Sequence, residues 1–190
     1  MSVVSGTLTD MGGGVLDEQA RSPAALLWDM DNMPGKRGQL LGLARFLSLV
    51  VPDDAYRYAA ARRPTWKRTK SRLEPLGFEV VSGGQSTSGA DRRLCDIGRV
   101  LSRNGCHHFT VVSNDRFFSC LSTLGTVHVV TLDPANLSTR LAQTAESITS
   151  LHFDGTNWRL DALDATQHPS QRALAPPRRH QILSDPQTSP

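Results

Sequence analysis

The sequence predicts an α/β fold, a three-layer sandwich in which helices cover both faces of a mainly parallel five-stranded sheet, with a β-hairpin at the C-terminal end. Three observations predict it. Short apolar runs alternate with segments whose apolar positions recur at helical spacing. Proline and glycine punctuate the junctions between them. Towards the end, two apolar stretches flank Asp154-Gly155, a hairpin-turn signal.

The elements follow in order. Residues 1–22 are rich in Gly, Ser and Thr without periodicity and read as a flexible N-terminal tail. Ala24–Trp28 is an apolar run suited to a buried first strand. Leu40, Leu41, Leu43, Ala44, Phe46, Leu47 and Val50 mark a helix that Pro52 stops. Tyr56–Ala61 reads as the second strand, and 65–75 as a basic helix between Pro64 and Pro75. Phe78–Val81 is the third strand and Gly83–Gly89 a loop. Leu94, Ile97, Val100 and Leu101 define a helix ended by Asn104-Gly105. Phe109–Val112, a short helix over Phe117–Leu124, a fifth strand over Val127–Leu132 and a helix near 136–149 come next. Leu151–Phe153 and Trp158–Leu160 then pair as the hairpin. Strands alternating with helices make βαβ units and a Rossmann-like arrangement. The folded domain is expected over 23–162. Residues 163–190 carry prolines and Arg172, Arg178 and Arg179 and read as a disordered tail.

Composition narrows the function. The formal charge is +3, and hydrophobic residues make up 38% of the chain, an ordinary value for a globular protein. Only Lys36, Lys67 and Lys70 are lysines, so arginine carries most of the positive charge. The three cysteines, Cys95, Cys106 and Cys120, show no CxxC spacing, which speaks against a disulfide framework or zinc knuckle and for a reducing, cytoplasmic setting. No secretory signal opens the chain, and no apolar run is long enough to span a membrane.

In an open parallel sheet, ligands bind beyond the carboxyl ends of the strands. Asp29 follows the first strand, Asp115 follows the fourth, and Asp91 opens the third helix, so three acids should meet on one rim. Each alone is equally an ordinary helix cap or turn former. Together they repel unless a cation or a proton neutralises them. Oxygen ligands without clustered Cys or His favour Mg²⁺ or Mn²⁺, which can activate water and stabilise charge on a phosphodiester.

Three segments resemble the motifs of the NYN domain, a branch of the PIN-like ribonucleases. Trp28-Asp29-Met30-Asp31-Asn32 is similar to its opening "hydrophobic-Asp-x-x-Asn" motif. Gly89–Asp96 resembles the central "G-x-D-x-x-L…D" segment, and Val111–Phe118 the "hydrophobic-S-x-D-x-D-F" motif. The resemblance implies a metal-dependent endoribonuclease acting on single-stranded or structured RNA, with Asp29, Asp91 and Asp115 as catalytic, metal-binding acids and Asp96 as a further metal ligand. It also implies that Asn32, Ser113 and Asn114 orient ligands or phosphate. Two positions depart from the pattern. Phe117 stands where the family carries a second Asp, and Asp96 comes one residue earlier than the family's helix acid often does.

Arg62, Arg63, Lys67 and Arg68 surround Trp66 after the second strand. They are expected to track RNA phosphates while the indole stacks on a base, or else to form a solvated helix face with Trp66 packed on the sheet. His107 and His108 fall at the opposite edge and read as structural. Two other functions fit part of the pattern. One is an RNA-binding or interaction module that keeps the fold without catalysis. The other is a haloacid-dehalogenase-like phosphatase, which Asp29-Met30-Asp31 resembles, although no lysine follows Lys70 to serve it. RNA is the expected partner; a homodimer is left open, and no membrane association is expected.

Overall fold

The computed structural model describes residues 23–33 and 39–163. Of the tails expected over 1–22 and 163–190, all but Leu163 lie outside the described residues. Seven strands form one sheet: β1 (Ala24–Asp29), β2 (Tyr56–Ala61), β3 (Glu79–Ser82), β4 (His108–Val112), β5 (Thr126–Thr131), β6 (Ser147–Phe153) and β7 (Trp158–Ala162). Their order is β3-β2-β1-β4-β5-β6-β7, parallel throughout except for the antiparallel β6–β7 pair.

The strands alternate their side chains across the sheet with period two, and β1 shows why both faces must be covered. Ala25 and Leu27 join one core cluster, while Leu26 and Trp28 join the other, all fully buried. Helices α1 (Leu40–Val50) and α2 (Arg63–Leu73) cover the face of Leu26 and Trp28. Helix α3 (Gly89–Arg103), the 3₁₀ helix Arg116–Thr123 and the short α4 (Thr139–Thr144) cover the other.

Burying a side chain the size of Trp28 or Leu43 contributes roughly 1.5–3 kcal/mol each. Pro64 in the first turn of α2 and left-handed Gly77 after its 3₁₀ extension (Glu74–Leu76) begin and end that segment.

Two expectations are corrected here. The helix expected near 136–149 is only the six residues Thr139–Thr144, preceded by a 3₁₀ turn at Pro134–Asn136. From Ser147 the chain is strand. Ile148, Ser150 and Leu151 are buried while Ser147 and His152 are exposed, a nearly alternating pattern that a helix reading blurs. The sheet accordingly has seven strands rather than five. The C-terminal hairpin is no appendage: β6 lies parallel beside β5, with Val129 opposite Ile148. Trp158 at its tip packs on Phe153 and lies close to Gly42 of α1.

The strand order reverses between β1 and β4. The chain winds outward through β2 and β3, then crosses back along α3 to the other side of β1. The crevice at this switch point, beyond the carboxyl ends of β1 and β4, is where such sheets bind ligands.

Candidate acid cleft at the switch point

Asp29 ends β1 and is fixed from three directions. Its Oδ1 accepts the backbone N–H groups of Asp31 and Asn32 at 3.1 and 3.2 Å, and its Oδ2 accepts the Ser113 hydroxyl at 3.1 Å. The Ser113 oxygen in turn accepts the N–H of Asp115 at 3.2 Å, so one buried hydroxyl links the ends of β1 and β4. Asp115 caps the 3₁₀ helix by accepting the N–H of Phe117 at 2.9 Å.

Asp91 arrives from above the sheet, in the first turn of α3. Close approach of two glycines sets its position. A side chain on Gly89 would stand 1.7 Å from the Gly83 carbonyl oxygen, and one on Gly83 would stand 2.3 Å from the Ala90 nitrogen. Only glycine fits at either place. Asp29, Asp31, Asn32, Arg62, Thr87, Asp91 and Asp115 line one cleft of about 260 Å³.

The carboxyls of Asp29 and Asp91 share a hydrogen bond. Burial raises Asp29 above the ordinary carboxylate range, against the pull of the hydrogen bonds it accepts. Asp91 is pushed up to about 8, by burial first and then by the hydrogen bond and charge of Asp29, with Asp115 and Asp31 adding to it. The two carboxyls together therefore hold a proton well above the ordinary carboxylate range.

Among the described residues no three of His, Cys, Asp and Glu stand close enough to ligate one ion directly. A cage of three protein carboxylates is thus not formed. The Asp29–Asp91 pair still fits a hard divalent cation, because Mg²⁺ commonly takes one or two carboxylates and keeps several waters.

The remaining predicted residues separate into groups. Asn32 lines the cleft, its Oδ1 accepting the Asn114 N–H at 3.3 Å. Ser113, expected to orient ligands or phosphate, is fully buried and donates its hydroxyl to Asp29. Asn114 likewise engages Thr131 through its Oδ1 and the Asp133 carbonyl through its Nδ2, bracing the end of β5. Asp96, expected as a metal ligand, is exposed and pairs with Arg99 at 2.6 Å. Five residues beyond Asp91, at about 100° per residue, it has turned away from the rim. Phe117 is 38% exposed and does not line the acid cleft, whereas Phe118 is fully buried.

Arg62, Arg63, Lys67 and Arg68 line a groove that shares Arg62 with the acid cleft. Trp66 lies among them in sequence but turns to the sheet, packing on the second core cluster and donating its indole N–H to the Val80 carbonyl at 3.0 Å. It supports the helix rather than standing free to stack on a base. His107 sits at the amino end of β4, its Nδ1 2.9 Å from the Leu124 carbonyl oxygen, on the edge away from the acids. Sequence reasoning named Asp31 only as part of two motifs, without a role in the acid site, and did not name Thr87. Asp31 accepts the Arg62 N–H at 2.7 Å and lies 3.6 Å from its guanidinium, tying the acid cleft to the basic groove. Its place in the Asp29–Asn32 segment was the available signal.

The chain matches no known family profile and no curated protein. Among solved structures it is similar to the crystal structure of a protein of unknown function from Vibrio parahaemolyticus, with a TM-score of 0.50 at 18% identity. That likeness covers 70% of this chain and 94% of the other and concerns the fold alone. No described helix is long and apolar enough to cross a membrane.

Proposed function

We propose that this chain is a Rossmann-like, NYN/PIN-like endoribonuclease that uses Mg²⁺ or Mn²⁺ to cut single-stranded or structured RNA in the cytoplasm. The observation that carries the reading is the Asp29–Asp91 carboxyl pair, hydrogen-bonded at the switch point with Asp115 in the same cleft. Two acids held together by folding at the cost of a trapped proton make a site prepared for a cation.

Asp29 and Asp91 would hold the ion. When bound, it supplies an activated water and neutralises charge developing on the phosphodiester. Ser113 and the N–H groups of Asp31 and Asn32 keep Asp29 in one orientation. Asp115, braced by its helix cap, adds negative charge and an acceptor for water at the cleft wall. Arg62, anchored by Asp31, leads from the acids into the basic groove, where Arg63, Lys67 and Arg68 bind phosphates. With few direct protein ligands, the metal requirement should be millimolar rather than micromolar.

Asp29→Asn and Asp115→Asn should each lower RNA cleavage at least about a hundredfold while leaving the fold intact, because each removes a charged oxygen from the site. Wild-type activity should vanish in EDTA and return with Mn²⁺. Cleavage that survives in either folded variant would remove this cleft from the chemistry. The absence of a three-acid cage among the described residues favours one second reading, an RNA-binding module of the same fold without cleavage. It predicts RNA binding that neither substitution abolishes and no cleavage in any metal. A phosphatase has less support, since among the described residues no lysine lines the acid cleft.

A further inference from the structure

Past Asp115 the acid cleft continues into a second hollow of about 510 Å³, sharing Asn32 and Asp115 with it. From its position and chemistry we infer that this hollow is a base-reading subsite, selecting guanine in the nucleotide next to the scissile phosphate; the inference rests on the ribonuclease reading above. Its volume lies in the range of ordinary small-ligand sites, about 300–1,000 Å³. Half-buried Leu132 and the almost fully buried Met33 line it together with polar Arg116, Asp133 and Asn136. That mixture offers a surface for a flat ring and hydrogen-bonding groups for its edge.

The two sides of the acid cleft differ in a way that assigns them different parts of a strand. Among the described residues, the groove on the Arg62 side is lined by four basic residues and no carboxylate, which suits phosphates. The hollow on the Asp115 side contains the carboxylates of Asp115 and Asp133, which repel phosphate and accept hydrogen bonds from a base. RNA is read by splaying an unpaired base and contacting its edges.

Asp133 is held for this task. Its Oδ1 accepts the Ala135 N–H at 3.1 Å and its Oδ2 accepts the Asn136 amide at 2.6 Å, so the carboxylate is oriented while each oxygen keeps a lone pair. Arg116 is exposed, with its guanidinium in no ion pair among the described residues. Guanine alone among the bases offers two acceptors, O6 and N7, beside two adjacent donors, N1–H and the N2 amine. Arginine meets the first pair bidentately, and a carboxylate meets the second.

The test has a binding arm and a cleavage arm, both with the full chain. In EDTA, labelled U-rich RNA octamers carrying one central G, A or C are titrated against wild type, Arg116→Ala and Asn136→Ala. The G octamer should bind wild type about tenfold more tightly than the others, the ordinary discrimination of one bidentate contact. Either variant should bring the three within about twofold, with unchanged melting temperature. In Mn²⁺, sequencing the products of a randomised RNA should place G at one fixed position beside the cut. Equal binding of the three octamers by wild type, or a preference for A or C, overturns the subsite. A G preference in binding without any cleavage supports the subsite and overturns the nuclease reading instead. Cleavage with no base preference at the cut leaves the nuclease standing and overturns the subsite.

Discussion

With its carboxyl against that of Asp29 and away from water, Asp91 is protonated up to about pH 8, whereas in the unfolded chain it ionises near 3.8. Between those values the folded protein binds more protons than the unfolded one, so stability falls as pH rises. The contribution is full below about pH 4 and is lost by about pH 8, a swing on the order of a few kcal/mol. In EDTA the melting temperature should drop steadily from about pH 5 to about pH 8, with Asp91→Asn abolishing most of the slope and melting higher than wild type at the upper end. Mg²⁺ should stabilise wild type more at high pH, where the proton no longer competes. A thermal-melt series over pH decides it: if Asp91→Asn keeps the wild-type slope, Asp91 is not the proton-holding partner. At this scale the sequence located Asp29, Asp91 and Asp115, because a strand end and a helix start are legible positions. That Asp29 and Asp91 pair while Asp115 stands apart was not legible, since it depends on side-chain directions set by packing.

Helix α2 joins two roles that its sequence runs together. Arg63, Lys67 and Arg68 face the groove, whereas Trp66 faces the sheet, half-buried with its N–H on Val80 and Lys70 5.4 Å from its ring. Replacing Arg62, Arg63, Lys67 and Arg68 together with Ala should weaken RNA binding and reduce its log–log salt slope, by about 0.7 for each phosphate of a single strand that is no longer neutralised. Trp66→Ala should instead destabilise the fold by roughly 2 kcal/mol, less than a fully buried Trp, and leave the slope unchanged. Binding titrations across salt concentrations, beside melts of both variants, separate the two roles. An unchanged slope in the quadruple variant means that the RNA path lies elsewhere. A Trp66→Ala protein as stable as wild type but weaker for RNA would restore the stacking role. The spacing of charges in 62–72 located the surface; which residue turned inward was decided by the sheet beneath it.

For the whole molecule, the sheet extends through β6 and β7, and its outer strands belong to the core. Leu151 on β6 is 1% exposed within the second cluster, and Ile148 lies in the first, so this strand contributes to both layers. Truncation after Glu146 should therefore uncover β5 on its open side and abolish cooperative unfolding, and with it any cleavage. Circular dichroism melts check this, and a truncated chain that still melts sharply near the wild-type temperature would reduce β6 and β7 to an accessory. The same architecture explains the cleft. Asp29 and Ser113 are far apart in sequence but adjoin because β1 and β4 are neighbours at the reversal of strand order.

By itself the sequence determined β1 to β5, the helices between them and the rim on which the acids stand. Those features follow from local periodicity and from Pro and Gly at the junctions, which hold wherever the segment lies. Tertiary structure decided the rest. It made 147–153 a strand by offering β5 as a partner, where a helix was expected to run to about 149. It turned Asp96 to solvent and Trp66 to the core, and gave the hydroxyl of Ser113 to Asp29. In each case the deciding energy is an interaction between residues distant in sequence, which no local pattern encodes.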